Sequence, residues 1–304
     1  MEALTARIAR FEKAVDILPY HLRGAARLLD EGLKADAEEF RLRMGALPTI
    51  LLPGGERPFG HVPVTMKELG AVLEVASAAS AHAVKDSLRN GYISARGGFR
   101  VGLGGQVAVR EGEVAGFLHL GSAAIRITKE IPGLAEPLLP QMTEGENVKS
   151  TLIISPPGGG KTTVLRDIIR LCSKGGRRVA VADERGEISA MREGAAQMDL
   201  GPRTDVLTGC FKDQGVMMLL RAMNPEIIAM DEITAPKDTQ ALESAANCGV
   251  VLLATAHGNG VEDLMGKPMY RNMIRRGLFQ RFVVIRRGEA GREYAVLTPE
   301  DISC

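Results

Sequence analysis

Apolar positions recur along the chain with two periods, and the point where one gives way to the other divides it. In the first third, Leu4, Ile8, Phe11, Val15 and Leu18 fall at helical spacing. Leu22, Ala26, Leu29 and Leu33 continue that spacing beyond Pro19, predicting two packed helices. Phe40, Leu42 and Met44 alternate with Arg41 and Arg43, a strand period, and residues 47–52 read as the partner across a short turn. Thr65 and Glu68 have capping-box spacing for a helix carrying Leu69, Val72, Leu73 and Ala76, with Asn90-Gly91 closing the helical region. Glycines at Gly97-Gly98, Gly104-Gly105 and Glu111-Gly112 then punctuate short apolar segments, predicting a meander of hairpins. Ile125 to Ile127 forms one more short strand.

Residues 131–146 hold Pro132, Pro137 and Pro140 with little periodicity and read as an interdomain linker that lets two halves move. The predicted organisation is therefore an α+β domain over 1–130, a linker over 131–146 and a second domain over 147–304. In the second domain, strands are expected at 150–155, 178–182, 227–231, 250–254 and 282–286. Helices at 160–172, 213–223 and 237–247 lie between them. Apolar strands spaced by helices predict an α/β architecture, a mostly parallel sheet covered on both faces, with ligands at the carboxyl ends of the strands.

Composition narrows this without redirecting it. The 304 residues are 45% apolar and 25% charged, as in a soluble globular protein. Lys+Arg 38 against Asp+Glu 37 leaves +1, so no global field recruits nucleic acid or anionic membrane. The cysteines at 172, 210, 248 and 304 are scattered without a C-x-x-C pair, which argues against a zinc site or a disulfide framework. The N-terminus is amphipathic rather than signal-like, and no apolar run approaches the ~18 residues of a spanning helix. A cytoplasmic protein without direct membrane insertion is expected.

The densest chemistry lies in TLIISPPGGGKTT. A buried strand runs into a glycine loop that opens a helix with Lys-Thr, a cradle for phosphates. Ser155, Pro156, Pro157, Gly158, Gly159, Gly160, Lys161, Thr162 and Thr163 form it. Ser155 stands where the G-x-x-x-x-G-K-[ST] pattern has its first glycine. Lys161 is expected to reach the β- and γ-phosphates of ATP, and the Thr162 hydroxyl to ligate Mg²⁺. The apolar run ending in Asp231-Glu232 supplies the acidic partner, Asp231 holding Mg²⁺ and Glu232 polarising the attacking water. Asp183, Glu184 and Glu187 end another strand, and Glu184 or Glu187 reaches the metal or the lytic water if that strand adjoins the core. Thr255 or His257 is placed to feel the γ-phosphate. Arg203, Arg221 and Arg126 are alternatives for an arginine acting in trans. The arginines at 271–292 make a basic C-terminal stretch. Without interleaved aromatics it reads as a solvated or subunit-facing surface rather than a nucleic-acid site.

The stretches GYISARGGFRVGLGG, SPPGGGKTT, VADERGEIS, GPRTDVLTGCFKDQGVMMLLRAMNPEIIAMDEI and the TAHG turn, spread over nearly the whole chain, resemble the stage III sporulation protein AA family. That family is similar to the hexameric ATPases of type II and type IV secretion. The resemblance implies a RecA-like P-loop ATPase core preceded by a smaller domain, a homo-hexamer, and a mother-cell position facing membrane proteins of the same sporulation operon. It aligns Asp183-Glu184 and Glu187 with an acidic box and Thr255-Ala256-His257 with a histidine box. Secretion ATPases commonly have Gly-Glu where this chain has Asp231-Glu232.

The expected function is a ring motor that hydrolyses Mg-ATP to power an export or channel assembly. The alternatives are a nucleic-acid-stimulated ATPase, disfavoured by the neutral charge, and a nucleotide-gated scaffold with little turnover, disfavoured by the Asp-Glu pair. No Leu-Ser-Gly-Gly-Gln signature precedes Asp231, which speaks against an ABC transporter subunit.

Overall fold

The computed structural model describes residues 2–77, 91–110, 112–127, 130–288 and 291–302. Two compact units divide it: 1–131 together with 192–197, and 132–191 together with 198–304.

In the first unit, helix period holds over Glu2–Val15 and Tyr20–Arg27. The second predicted helix is in fact two. Asp30 accepts from Leu33 N at 2.8 Å and starts a separate helix, Glu31–Asp36. Strands β1 (Glu39–Arg43), β2 (Thr49–Leu52) and β3 (Gly55–Pro58) follow. The helix Met66–Ser77 is capped as predicted, the Glu68 carboxylate accepting from Thr65 N. The Asn90 part of the predicted closure lies outside the described residues.

The meander differs from expectation. Besides β4 (Tyr92–Ala95) it consists of two long strands, β5 (Phe99–Arg110) and β6 (Glu113–Arg126). Gly104-Gly105 marks a register shift inside β5 rather than a turn, and the strand expected near 125 is the end of β6. The antiparallel order is β3-β2-β1-β6-β5-β4. One face buries Phe40, Leu42, Val101 and Ile125 against Phe11, Leu69 and Val72 of the helices and Leu18 of the turn between the first two.

The stretch expected to link the units instead packs on the second. Ala135, Leu138 and Met142 are buried there, and Asp167 accepts from Ala135 N at 2.8 Å and Gly133 N at 3.3 Å. A short hairpin, β7 (Thr143–Glu144) with β8 (Asn147–Val148), follows.

The second unit's sheet contains β9 (Thr151–Ser155), β10 (Val179–Asp183), β11 (Thr204–Thr208), β12 (Ile227–Met230), β13 (Val251–His257), β14 (Arg281–Gly288) and β15 (Gly291–Leu297), in the order β11-β10-β12-β13-β9-β14-β15. All neighbours are parallel except β15, which returns antiparallel to β14. β9, β10 and β12 are buried along their whole length because both faces are covered. The helix Lys161–Lys174 packs Val164, Leu165 and Ile168 on one face. The helices Lys212–Ala222, Pro236–Asn247, Val261–Met265 and Pro268–Arg275 cover the other. Among the described residues no helix is long and apolar enough to cross a membrane.

Candidate functional site

The sheet order determines which groups meet. β13 lies between β9 and β12, so the Asp-Glu strand is next but one to the glycine-loop strand, and the Thr255–His257 strand end stands between them. β10, carrying Asp183, adjoins β12 on its far side.

β9 delivers Ser155 to the carboxyl edge, and the loop after it turns through Gly158 at φ +73° and Gly160 at φ +100°. A Cβ on Gly159 would sit 2.4 Å from Ser155 Oγ and 3.0 Å from the Pro156 carbonyl. No side chain fits there, and this close approach leaves the loop's backbone lining bare. Nothing lies within 4 Å of a Cβ placed on Gly158, on the loop's open side. Ser155, buried, donates its hydroxyl to the Pro156 carbonyl at 3.0 Å, which explains why a small residue other than glycine serves at the strand exit.

Lys161 and Thr162 open the helix directly after the loop. Thr162 donates to Asp231 Oδ2 at 3.0 Å. The other Asp231 oxygen accepts from Thr255 Oγ1 at 2.8 Å, and Glu232 N donates to the same Thr255 oxygen at 2.9 Å. Thr255 is fully buried, so its hydroxyl is committed to holding the acidic pair. Lys161 is 6% exposed, and its Nζ lies 2.7 Å from His257 Nδ1. An ammonium only donates, so Nδ1 accepts and Nε2 carries the proton. Nε2 meets Glu232 Oε1 at 2.9 Å. Lys161, His257 and Glu232 are thus one hydrogen-bonded chain. Burial pushes the Lys161 ammonium below its ordinary pKa, while Glu232, Asp231 and Glu187 pull it back up.

Glu232 has φ +25°, in the left-handed region that non-glycine residues seldom occupy. Its surroundings hold it there. Lys212 Nζ donates to the Glu232 carbonyl at 2.5 Å, and Tyr270 OH to the next carbonyl, Ile233, also at 2.5 Å. Asp238 accepts from Thr234 N and Ala235 N at 2.9 and 3.0 Å. Tyr270 is pushed up to about 12, chiefly by burial and then by Glu232 and Asp238.

Glu184 and Glu187 line one cavity with Lys212, Asp231 and Glu232. Asp183 lines it too, but its oxygens are occupied: they accept from Ile188 N, Ser189 N and Ser189 Oγ at 2.6 to 3.2 Å, closing the turn after β10. Arg203 and Arg221 are not brought to this edge. Arg203 precedes β11 and donates to the Gly176 carbonyl at 2.7 Å, and Arg221 ends the helix Lys212–Ala222. Arg126 ends β6 in the first unit, level with Glu39 and Arg100. Two neighbours of the site carry no local motif. Lys212 is a lone lysine in GCFKDQG, and Arg292, in the basic stretch read as surface, donates to the Gly158 carbonyl at 3.3 Å.

A hydroxyl and a carboxylate oxygen, Thr162 and Asp231, are hard donors that suit Mg²⁺, which takes its remaining ligands from water and substrate phosphates. A bare glycine loop, a lysine and a helix N-terminus suit the phosphates themselves.

Residues 10–297 match the family described as Sporulation stage III, protein AA. Stage III sporulation protein AA of Bacillus subtilis (strain 168) is 36% identical over 279 residues, covering 90% of this chain and 90% of that one. Among solved structures, the ATPase DotB of Legionella pneumophila is similar with a TM-score of 0.58 and 18% identity, over 90% of this chain and 81% of that chain. The pilus retraction motor PilT with bound ADP is similar with a TM-score of 0.61 and 18% identity, over 92% and 82%. At such identities the likeness is one of fold: the RecA-like core of secretion ATPases, with an antiparallel-sheet domain before it.

Proposed function

The chain belongs to the stage III sporulation protein AA family, and from that premise we propose that it binds and hydrolyses Mg-ATP as the motor subunit of a sporulation channel or secretion-like complex. The observation that carries the reading is the Thr162–Asp231 hydrogen bond at 3.0 Å, which joins the phosphate loop to the acidic strand end across β13. Residues 155–163 cradle the phosphates and Lys161 neutralises their charge. Thr162 and Asp231 hold Mg²⁺, which when bound screens the triphosphate and favours displacement at its terminal phosphorus. Glu232 orients the attacking water and takes its proton, with Glu184 beside it in the same cavity. His257 reads occupancy. When Lys161 turns to phosphate, its bond to Nδ1 is given up and the hold of Nε2 on Glu232 loosens. Arg203 or Arg221 serves a neighbouring subunit in a homo-hexamer on the mother-cell side, cytoplasmic and docked on membrane proteins of the same operon.

Glu232→Gln tests the reading. It keeps shape and hydrogen bonding but loses the base, so ATP binding is expected to persist while phosphate release falls at least about 100-fold. Phosphate release at the parent rate would remove Glu232 from this role.

A further inference from the structure

β14 runs parallel beside β9 with Val284 level with Ile154, so its last residues extend past the start of the phosphate loop. There β14 and β15 carry three arginines whose register is informative. Arg286 is opposite Glu293, but Arg287 is directly opposite Arg292. The next pair on the same face, Ile285 with Tyr294, packs into the cluster that includes Val164 and Ile168 of the helix Lys161–Lys174. Arg287 and Arg292 therefore stand on the face where that helix and its loop lie. Arg292 reaches the loop itself. Its guanidinium donates to the Gly158 carbonyl at 3.3 Å, and its Cζ, Nε and Nη1 lie 3.3 to 3.4 Å from where a Cβ on Gly160 would be. Arg286, on the opposite face, lies toward Gly260 instead, its Nη2 3.8 Å from where a Cβ on that glycine would be.

Like charges directly opposite on paired strands repel. Among the described residues no acidic partner relieves the pair. Among the described residues Arg287 makes no hydrogen bond or ion pair, and Arg292, with five donors, has only the long bond to Gly158. Both residues are exposed, within reach of solvent anions. Planar guanidiniums match phosphate oxygens in pairs, and a polyanion between them converts their repulsion into binding.

We infer that Arg287 and Arg292 are phosphate-binding residues acting in cis, closing over the phosphate tail of a nucleoside triphosphate seated in the loop of their own subunit. The inference rests on the reading of residues 155–163 as a nucleotide site. It assigns to the β14–β15 strand pair a contact that the loop, lysine and helix N-terminus do not provide, on the side away from Asp231.

The test is calorimetric binding of ATPγS to the full-length chain, at a concentration where it is monomeric and at two salt concentrations. The parent is compared with R292A, R287A, R286A and K161A. R292A is expected to bind about tenfold more weakly, the loss of one charge-assisted contact, and R287A measurably more weakly. In both, affinity should depend less on salt than in the parent. R286A should bind as the parent does, and nucleotide-free R292A should unfold at the parent's midpoint, which separates ligand contact from structural support. If R292A and R287A bind within twofold of the parent while K161A loses binding, the inference is overturned and the nucleotide site stands. Weakening seen only in the assembled protein overturns the assignment in cis. Absence of binding by the parent overturns the nucleotide site and the inference with it.

Discussion

Glu232 combines an unfavourable backbone conformation with bonds to its carbonyl, its amide and its carboxylate. A non-glycine residue in the left-handed region costs on the order of 1–3 kcal/mol and persists only where neighbours over-determine it. Lys212, Thr255 and His257 do so here, on the carbonyl, amide and carboxylate respectively. A different residue, Glu56 in the first unit, offers a simpler measurement. Its carboxylate takes two bonds from Arg43, at 2.7 and 2.8 Å, and one from Thr49 at 2.9 Å. The Arg43 bonds are the main reason its pKa falls from 4.5 to about 2. With the folded pKa below the unfolded one, the stabilisation is complete above about 4.5 and fades as pH falls toward about 2. Glu56→Gln is expected to lower the melting temperature modestly at neutral pH, since the pair is partly solvated. The gap between parent and variant should narrow through that acid window. A gap constant from neutral pH to pH 3 would mean that the pairing contributes no linkage.

At the level of elements, the helix Lys161–Lys174 presents Lys161 and Thr162 at one end and anchors the residues after 131 further along. Asp167, buried, receives Gly133 N, Ala135 N and Arg170 Nε, the last at 2.7 Å. Asp167→Ala leaves a buried guanidinium and two amides without their acceptor, a loss of about 3–5 kcal/mol. It should appear as a lower denaturant midpoint with faster amide exchange at 133–135. A change below about 1 kcal/mol would show that the segment holds without this aspartate.

The same elements explain what was legible in the chain. β9, β10 and β12 are buried on both faces, so they appear as apolar runs, and the loop after β9 is contiguous chemistry. β11 reads TDVLT and lies half-exposed at the sheet edge, while β15 carries Arg292, Glu293 and Tyr294 on the opposite edge. Neither has the apolar signature of an inner strand. The region at 131–146 looks like a linker because Pro132, Pro137 and Pro140 break periodicity, although Leu138 and Met142 are buried. The contacts that complete the site join residues 69 apart for Thr162 with Asp231 and 96 apart for Lys161 with His257. Strand order alone makes those neighbours, and no local spacing encodes it.

For the whole molecule, the proposed ring makes a direct prediction. Mass measured in solution should rise from small species to about six chains when Mg-ATPγS is added, and Glu232→Gln should hold that assembly with ATP itself. A single chain under both conditions would remove the ring, leaving the fold and the loop untouched. Any motor of this design also has to move something, and the parallel sheet limits what that can be. β13 is hydrogen-bonded to β9 on one side and β12 on the other, so phosphate cup and carboxylates are riveted to a common plank. They cannot gape apart like jaws unless that plank splits. Whatever stroke nucleotide turnover delivers must therefore be carried by what stands at the plank's end: His257, the turn after Asp183, and Arg292 at the rim of the cup.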